Sequence, residues 1–421
     1  MIWMFVTFGV ATIWLFLLYS QKVGSVLNAV TIYVVMKVVI EFVLEPLAYS
    51  LNLFSYDFRS IFLIYLLSFL GYAAFIIGLL ITKQQWNPLR TFSRSGYLSF
   101  AWVLLAAAWL FYAPVIIEFR DMITEPRRIY ELTRTGYGIY TFGSALLSFL
   151  SYIVFLMSTR KRQILFYLVI VLLMALKGSK GQFVVLISIA IIARVYLRGF
   201  KYSLTKSAIY GSITGVMLLY LFAFNYRGQI DNVFITIAEY SDYNRNGAFV
   251  LQDDTAGQYN GIITLETLWI PKIPRAIWPD KPKMFGEFRL AMQYYPKWFL
   301  QDQGSPSFGI GMYFADFKWF AFLVYPLLQF LSGYLLGLCL NRLIVNPNVF
   351  YFVVSVYLSG SNLLSTGGGF YLVEHAVIGV MLMAMLGFLG VGRHETTGLQ
   401  GGRRDRASPL GEALLDGRVG R

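Results

Sequence analysis

The sequence predicts an all-α, polytopic integral membrane protein, and three observations carry that prediction. Hydrophobic residues fill 57% of the 421 positions, the mean hydropathy is +0.61, and only 14% of residues are charged. Apolar runs of roughly eighteen residues or more, the length of a membrane-crossing helix, recur along the chain. They are too continuous for the alternating strands of a barrel. A backbone in lipid must satisfy its own hydrogen bonds, which leaves helices.

About eleven spans are expected, near residues 2–19, 27–44, 60–82, 97–117, 141–158, 164–176, 182–198, 208–224, 319–339, 349–366 and 371–391. The first lacks a basic leader and a small-residue cleavage site, so it reads as a retained span. The second carries Lys37 and Glu41 four residues apart, a pair on one helix face that reads as structural before it reads as a relay. With Cys339 as the lone cysteine, no intramolecular disulfide is expected, nor a cysteine-based metal site.

Orientation follows from the basic residues, because short cytoplasmic loops retain Lys and Arg. Lys22, then Lys83 with Arg90 and Arg94, Arg160 to Arg162, Arg198 with Lys201 and Lys206, and Arg342 occupy alternate connections. The N-terminus is thereby expected outside and the Arg-bearing tail inside. Most of the formal charge of +13 is then topology and anchoring against anionic lipid, and nucleic acid is not an expected partner. The organisation reads as spans one to eight over 1–224, a large extracytoplasmic loop over 225–318, spans nine to eleven over 319–392, and a polar, Gly/Arg-rich cytoplasmic tail over 393–421, expected to be disordered.

The large loop is where function is sought, since long connections between helices are commonly functional. From 225 to 306 it holds eight Lys/Arg and nine Asp/Glu, so it is no simple cation funnel. Carboxylates, Tyr and Trp together suit a sugar-binding groove, and equally an amphipathic lid. Asp242, Glu266 and Asp280 are candidate general bases within it. Arg227, directly after the eighth span, stands at headgroup height, where a guanidinium suits phosphate and where snorkelling is the alternative. In IPRAIWPDKP, Arg275, Lys281 and Lys283 ride on a segment stiffened by Pro274, Pro279 and Pro282. That ribbon reads as a diphosphate ligand site or as a turn pinned by Trp278.

Two other connections carry charge. KGSKG, residues 177–181, lies outside by alternation yet bears Lys177 and Lys180, so an exposed positive hairpin is expected there. Its glycines would let backbone N–H groups approach a lipid diphosphate, or its lysines simply snorkel. The loop from 118 to 140 is expected to form a short interfacial helix. Its Arg127, Arg128 and Arg134 could meet phosphate and its Glu118 or Asp121 act as a base, although intraloop ion pairs account for all of them. Near the last span, STGGGFYLVEH places Glu374 and His375 close to the outer surface, and His375 is a candidate acid or base. No Walker A, HExxH or DxD pattern supports metal- or nucleotide-dependent chemistry.

With these residues in view, the chain resembles the bacterial oligosaccharide repeat unit polymerases, the Wzy-type O-antigen and exopolysaccharide polymerases. The resemblance rests on the span pattern with one dominant outer loop late in the chain, on KGSKG, and on IPRAIWPDKP followed by GSPSFGIGMYFADF. It implies a GT-C-like glycosyltransferase in the inner membrane, independent of nucleotide sugars and of cofactor. Its expected substrates are undecaprenyl diphosphate-linked donor and acceptor units, and its expected pathway partners a chain-length regulator and a flippase. Lys177, Lys180, Arg227, Arg275 and Lys281 would then hold diphosphate, and Asp242, Glu266, Asp280 or His375 would take the acceptor proton. An O-antigen ligase shares the outline, but the IPR…KP segment argues against it. A flippase or transporter would show charged, broken or repeated spans.

Overall fold

The computed structural model describes residues 2–50, 57–82, 96–133, 136–158, 164–207, 242–253, 259–270, 278–301, 306–359 and 368–389, with 209, 211, 212 and 273. All regular structure among them is helical. Five helical stretches, Ile2–Val23, Phe58–Ile81, Tyr97–Glu118, Gly138–Leu156 and Gly311–Val345, are long and apolar enough to cross a membrane, and four shorter apolar helices accompany them. The protein is a multi-pass membrane protein.

The described helices overlap the apolar runs read from the sequence. In order they are α1 (Ile2–Val23), α2 (Thr31–Val39), α3 (Glu45–Ser50), α4 (Phe58–Ile81), α5 (Tyr97–Glu118), α6 (Pro126–Leu132), α7 (Gly138–Leu156), α8 (Ile164–Leu176) and α9 (Lys180–Ile192). Within the large loop come α10 (Asp242–Gln252), α11 (Ile262–Trp269), α12 (Glu287–Tyr294) and α13 (Pro296–Gln301). Then α14 (Gly311–Phe317) leads into α15 (Ala321–Val345), α16 (Val349–Leu358) and α17 (Gly368–Phe388). The expected eighth span, apart from 209, 211 and 212, and the tail fall outside the described residues, as does the end of the span expected over 349–366.

Helix starts and pairings have local causes. Asp57 caps α4 by accepting the Ser60 backbone N–H at 2.9 Å, which satisfies one of the orphan donors at a helix start. Helices α4 and α15 pack closely. A Cβ on Gly333 would lie 2.0 Å from the Phe75 carbonyl oxygen, and one on Gly337 would lie 2.2 Å from the Thr82 hydroxyl. Small residues four apart let two backbones meet where lipid supplies no hydrophobic drive. Between α5 and α7, Ser144 and Ser151 donate across the interface to the Ala108 and Ala101 carbonyls, each at 2.7 Å.

Two expectations are corrected. The second span does not end at Leu44: α2 passes through a π-turn, Ile40–Leu44, into α3 and runs to Ser50. Lys177 of the KGSKG turn is not exposed as expected, for it is 3% exposed. The loop before α7 covers it. Gly178 sits at φ +63°, and a Cβ there would lie 2.2 Å from the Pro126 carbonyl oxygen, so this glycine serves the close packing of the turn beneath α6.

Candidate functional site

The large loop does not merely lie on the surface. Its first described helix, α10, packs against α4 and α14 and reaches a cluster of charges inside the bundle. Gly247 and Gly311 permit the approach: a Cβ on Gly311 would lie 2.4 Å from the Gly247 Cα. Pairs of glycines at such a contact remove the side chains that would hold the two helices apart.

The cluster is built on the rod from α2 to α3. Lys37, Glu41 and Glu45 recur every fourth residue, and the π-turn carries Glu41. The Lys37 Nζ meets the Glu41 Oε2 at 2.6 Å and also bonds the Ser68 hydroxyl of α4. Tyr65, again from α4, donates to the Glu45 carboxylate and lies 2.9 Å from the Glu41 backbone carbonyl. From the loop, the Tyr243 hydroxyl donates to the Glu41 Oε1 at 3.1 Å, and the Asn244 amide donates to the Glu45 Oε2 at 3.1 Å. The guanidinium of Arg245 lies within electrostatic reach of Glu45. Glu41 is 1% exposed and Glu45 fully buried, and the Glu45 Oε1 has no hydrogen-bond partner among the described residues. A buried ion pair beside a second buried carboxyl group is costly to keep from water unless each is hydrogen-bonded, and the loop supplies part of that bonding.

Farther out, the loop spends its acids on its own architecture. Glu266 accepts a bidentate pair from Arg289, at 2.7 and 2.6 Å, and the Gly286 backbone N–H at 2.8 Å. The Arg289 hydrogen bonds, followed by that from Gly286, hold its carboxyl below the ordinary range. Asp253 accepts from Gln293 and Tyr294 at 2.7 and 2.9 Å. Asp316 accepts the backbone N–H groups of Ile263 and Thr264 at 3.0 and 2.6 Å, which caps α11 from α14. Trp269 and Trp278 stack with ring centres 5.8 Å apart and planes 8° from parallel.

The residues singled out in the sequence are distributed over several environments. Lys177 is buried, with its Nζ 3.4 Å from the Ser148 hydroxyl and 5.7 Å above the Tyr112 ring, and burial lowers its ammonium to about 7. Lys281 donates to the Ile273 carbonyl at 3.0 Å and lies 5.0 Å above the Phe285 ring. Asp280 is exposed at a turn. Arg227 and Arg275 lie outside the described residues. For Lys180, Asp242 and His375 the described part is the helical backbone, at the starts of α9 and α10 and within α17. Two arginines of the 118–140 loop follow the ion-pair reading, Arg127 pairing with Glu131 at 2.8 Å and Arg128 with Glu125 at 3.2 Å, while Arg134 lies outside the described residues.

Sequence reasoning paired Lys37 with Glu41 but missed Glu45, Tyr65, Tyr243 and Asn244. The repeat of charge at 37, 41 and 45 was the available signal. The partners from α4 and α10 lie too far along the chain for any spacing rule to reach.

Two curated relatives are similar over nearly the whole chain. Each is an O-antigen polymerase, one of Salmonella typhimurium and one of Salmonella typhi, 30% identical over 389 residues that span 90% of this chain and 93% of the relative. The chain belongs to the O-antigen polymerase family. No protein-family model matches it, and no solved structure does. Because the identity extends over 90% of the chain, family membership is a property of spans and loop together rather than of one motif.

Proposed function

We propose that this chain polymerises lipid diphosphate-linked oligosaccharide repeat units into O-antigen by glycosyl transfer at the outer face of the bacterial inner membrane. About eleven spans in a GT-C-like arrangement would carry the reaction. The observation that supports this reading most strongly is the 30% identity to two O-antigen polymerases over 90% of the chain. A ligase or a flippase accounts for that similarity less well.

In the proposed reaction an acceptor hydroxyl attacks the anomeric carbon of the donor. A new C–O bond forms, the bond to the undecaprenyl diphosphate breaks, and its electron pair leaves on the diphosphate. Cations must receive that charge and a base must take the hydroxyl proton. Lys177, Lys180, Arg227, Arg275 and Lys281 are the proposed cations, and Asp242, Asp280 and His375 the proposed bases. Glu266 is better suited to positioning, since Arg289 and Gly286 already occupy its oxygens. The case for Asp242 gains from its place at the head of α10, directly before Tyr243 and Asn244, which anchor on the buried carboxylates. A flat aromatic pair, Trp269 on Trp278, offers a face for a sugar ring. A chain-length regulator and a flippase are the proposed partners.

The surface glycans of a strain lacking this gene test the proposal, with lipid-linked intermediates analysed alongside. Single repeat units in place of long chains are expected. Finished polymer stranded on its lipid carrier would instead identify a ligase, untranslocated units a flippase, and an unaltered profile would remove the polysaccharide reading.

A further inference from the structure

A groove of about 540 Å³ runs between α7, α8 and α9, far from the buried acid cluster in sequence and built of different helices. Its walls are apolar. Ile164, Tyr167 and Val171 of α8 and Phe183, Leu186, Ile187 and Ala190 of α9 line it, at spacings of three and four that place each set on one helix face. Ile164 is 68% exposed, so the groove is open along the outside of the bundle, where lipid tails lie. From Phe183 to Arg194 the wall extends about 16 Å at the rise of an α-helix, long enough to lodge an acyl chain.

One end of the groove is basic. There α9 passes into a π-turn, Ala193–Leu197, that carries Arg194, and Arg198 follows directly. Both arginines line the groove with Tyr202, and no acidic residue lines it among the described residues. Arg194 is exposed and donates to the Tyr202 hydroxyl in a long bond of 3.4 Å. Arg198 donates to the Leu156 carbonyl at the end of α7, at 3.1 Å. Lys201 lies beside the same end of the bundle, its Nζ 3.4 Å from where a Cβ on Gly24 would stand, just past Lys22 at the end of α1. By the alternation of basic connections this is the cytoplasmic end, and basic pockets between helices on that side suit anionic headgroups.

We infer that this groove binds one anionic phospholipid of the cytoplasmic leaflet, with its phosphate against Arg194 and Arg198 and an acyl chain along α8 and α9. Apolar length and charge both select this occupant: a neutral lipid brings no anion to the two guanidinium groups, and a soluble anion would leave the apolar wall uncovered. Arginine is suited to the phosphate because its planar donors match two oxygens. The sugar donor's diphosphate belongs to the opposite, outer face, so the groove is a second lipid site and its occupancy is read without any sugar chemistry.

Native mass spectrometry of the full chain in detergent tests this, with phosphatidylglycerol and phosphatidylcholine of the same chain length as probes. The wild type is expected to retain phosphatidylglycerol preferentially. Arg194→Gln should weaken that retention about fivefold, the effect of one interfacial cation, while phosphatidylcholine binding is unchanged. Ala190→Trp, which fills the groove and keeps both arginines, should abolish the preference, and it decides the matter if Arg194→Gln does not fold. Equal retention of the two lipids by the wild type overturns the inference, as does an undiminished preference in either folded variant.

Discussion

Lys37–Glu41 and Glu266–Arg289 are ion pairs with the same closest approach, 2.6 Å, in opposite surroundings. The first is closed inside the bundle, its side chains 1% and 2% exposed. The second holds the outer loop together near water, with the Arg289 side chain 38% and that of Glu266 16% exposed. Distance alone would rank them equal, but desolvation separates them. A buried pair contributes little net stability when intact, yet removing one partner leaves an uncompensated charge, whereas a pair near water can be broken cheaply. The inner pair also receives Tyr243, so it joins the fold of the bundle to the placement of the loop.

The largest test of that difference is Lys37→Met. It should cost about 3–5 kcal/mol of stability by leaving Glu41 buried without its cation, measured by thermal unfolding of the detergent-solubilised protein. Lys37→Met combined with Glu41→Leu should recover most of the loss, and a single variant as stable as the wild type would break the comparison.

Lys177 extends the contrast, because it is a buried amine whose contacts among the described residues, the Ser148 hydroxyl and the Tyr112 ring, include no carboxylate. Its ammonium is lowered by burial from the ordinary 10.5 to about 7, so the folded protein releases a proton that the unfolded chain keeps. Stability should therefore rise as pH increases from about 7 towards 10.5, where the unfolded chain also deprotonates. Lys177→Met should flatten that slope in unfolding curves taken across the range, and should lower polymer output if the proposed diphosphate role holds.

Smaller effects follow at the loop. Asn244→Ala leaves the Glu45 carboxylate short of a donor and should cost about 1–3 kcal/mol, with α10 becoming more open to proteolysis. Glu266→Gln should cost no more than about 1 kcal/mol, and less as salt is raised. Because the Glu266 carboxyl is held below its ordinary range, its contribution is present above that range and is lost as pH falls through the depressed value. A large loss from Glu266→Gln at high salt would place this pair in the same class as Lys37–Glu41.

Much of the fold was legible because a span announces itself by an uninterrupted apolar run. The helix at Ile164–Leu176 coincides with the span read from sequence, and α4 and α5 agree within two residues. The second span is expected to end at Leu44, whereas the helix runs on to Ser50. The Glu45 carboxyl is held inside by Tyr65 and by Asn244, the latter 199 residues away in sequence. Lys177 differs in the opposite direction. KGSKG reads as an exposed hairpin, yet Lys177 is buried and the left-handed Gly178 packs against the Pro126 carbonyl. Both differences have one origin, since burial of a polar group is decided by distant segments that local composition does not reveal.

Joining of repeat units by this chain itself is read from the purified full-length protein reconstituted in vesicles with undecaprenyl diphosphate-linked repeat units. A ladder of lengthened lipid-linked chains is expected, lost in Arg227→Ala and in Arg275→Ala while both variants insert normally. Repeat units that remain single with the wild type, under conditions in which the protein is folded, would contradict it.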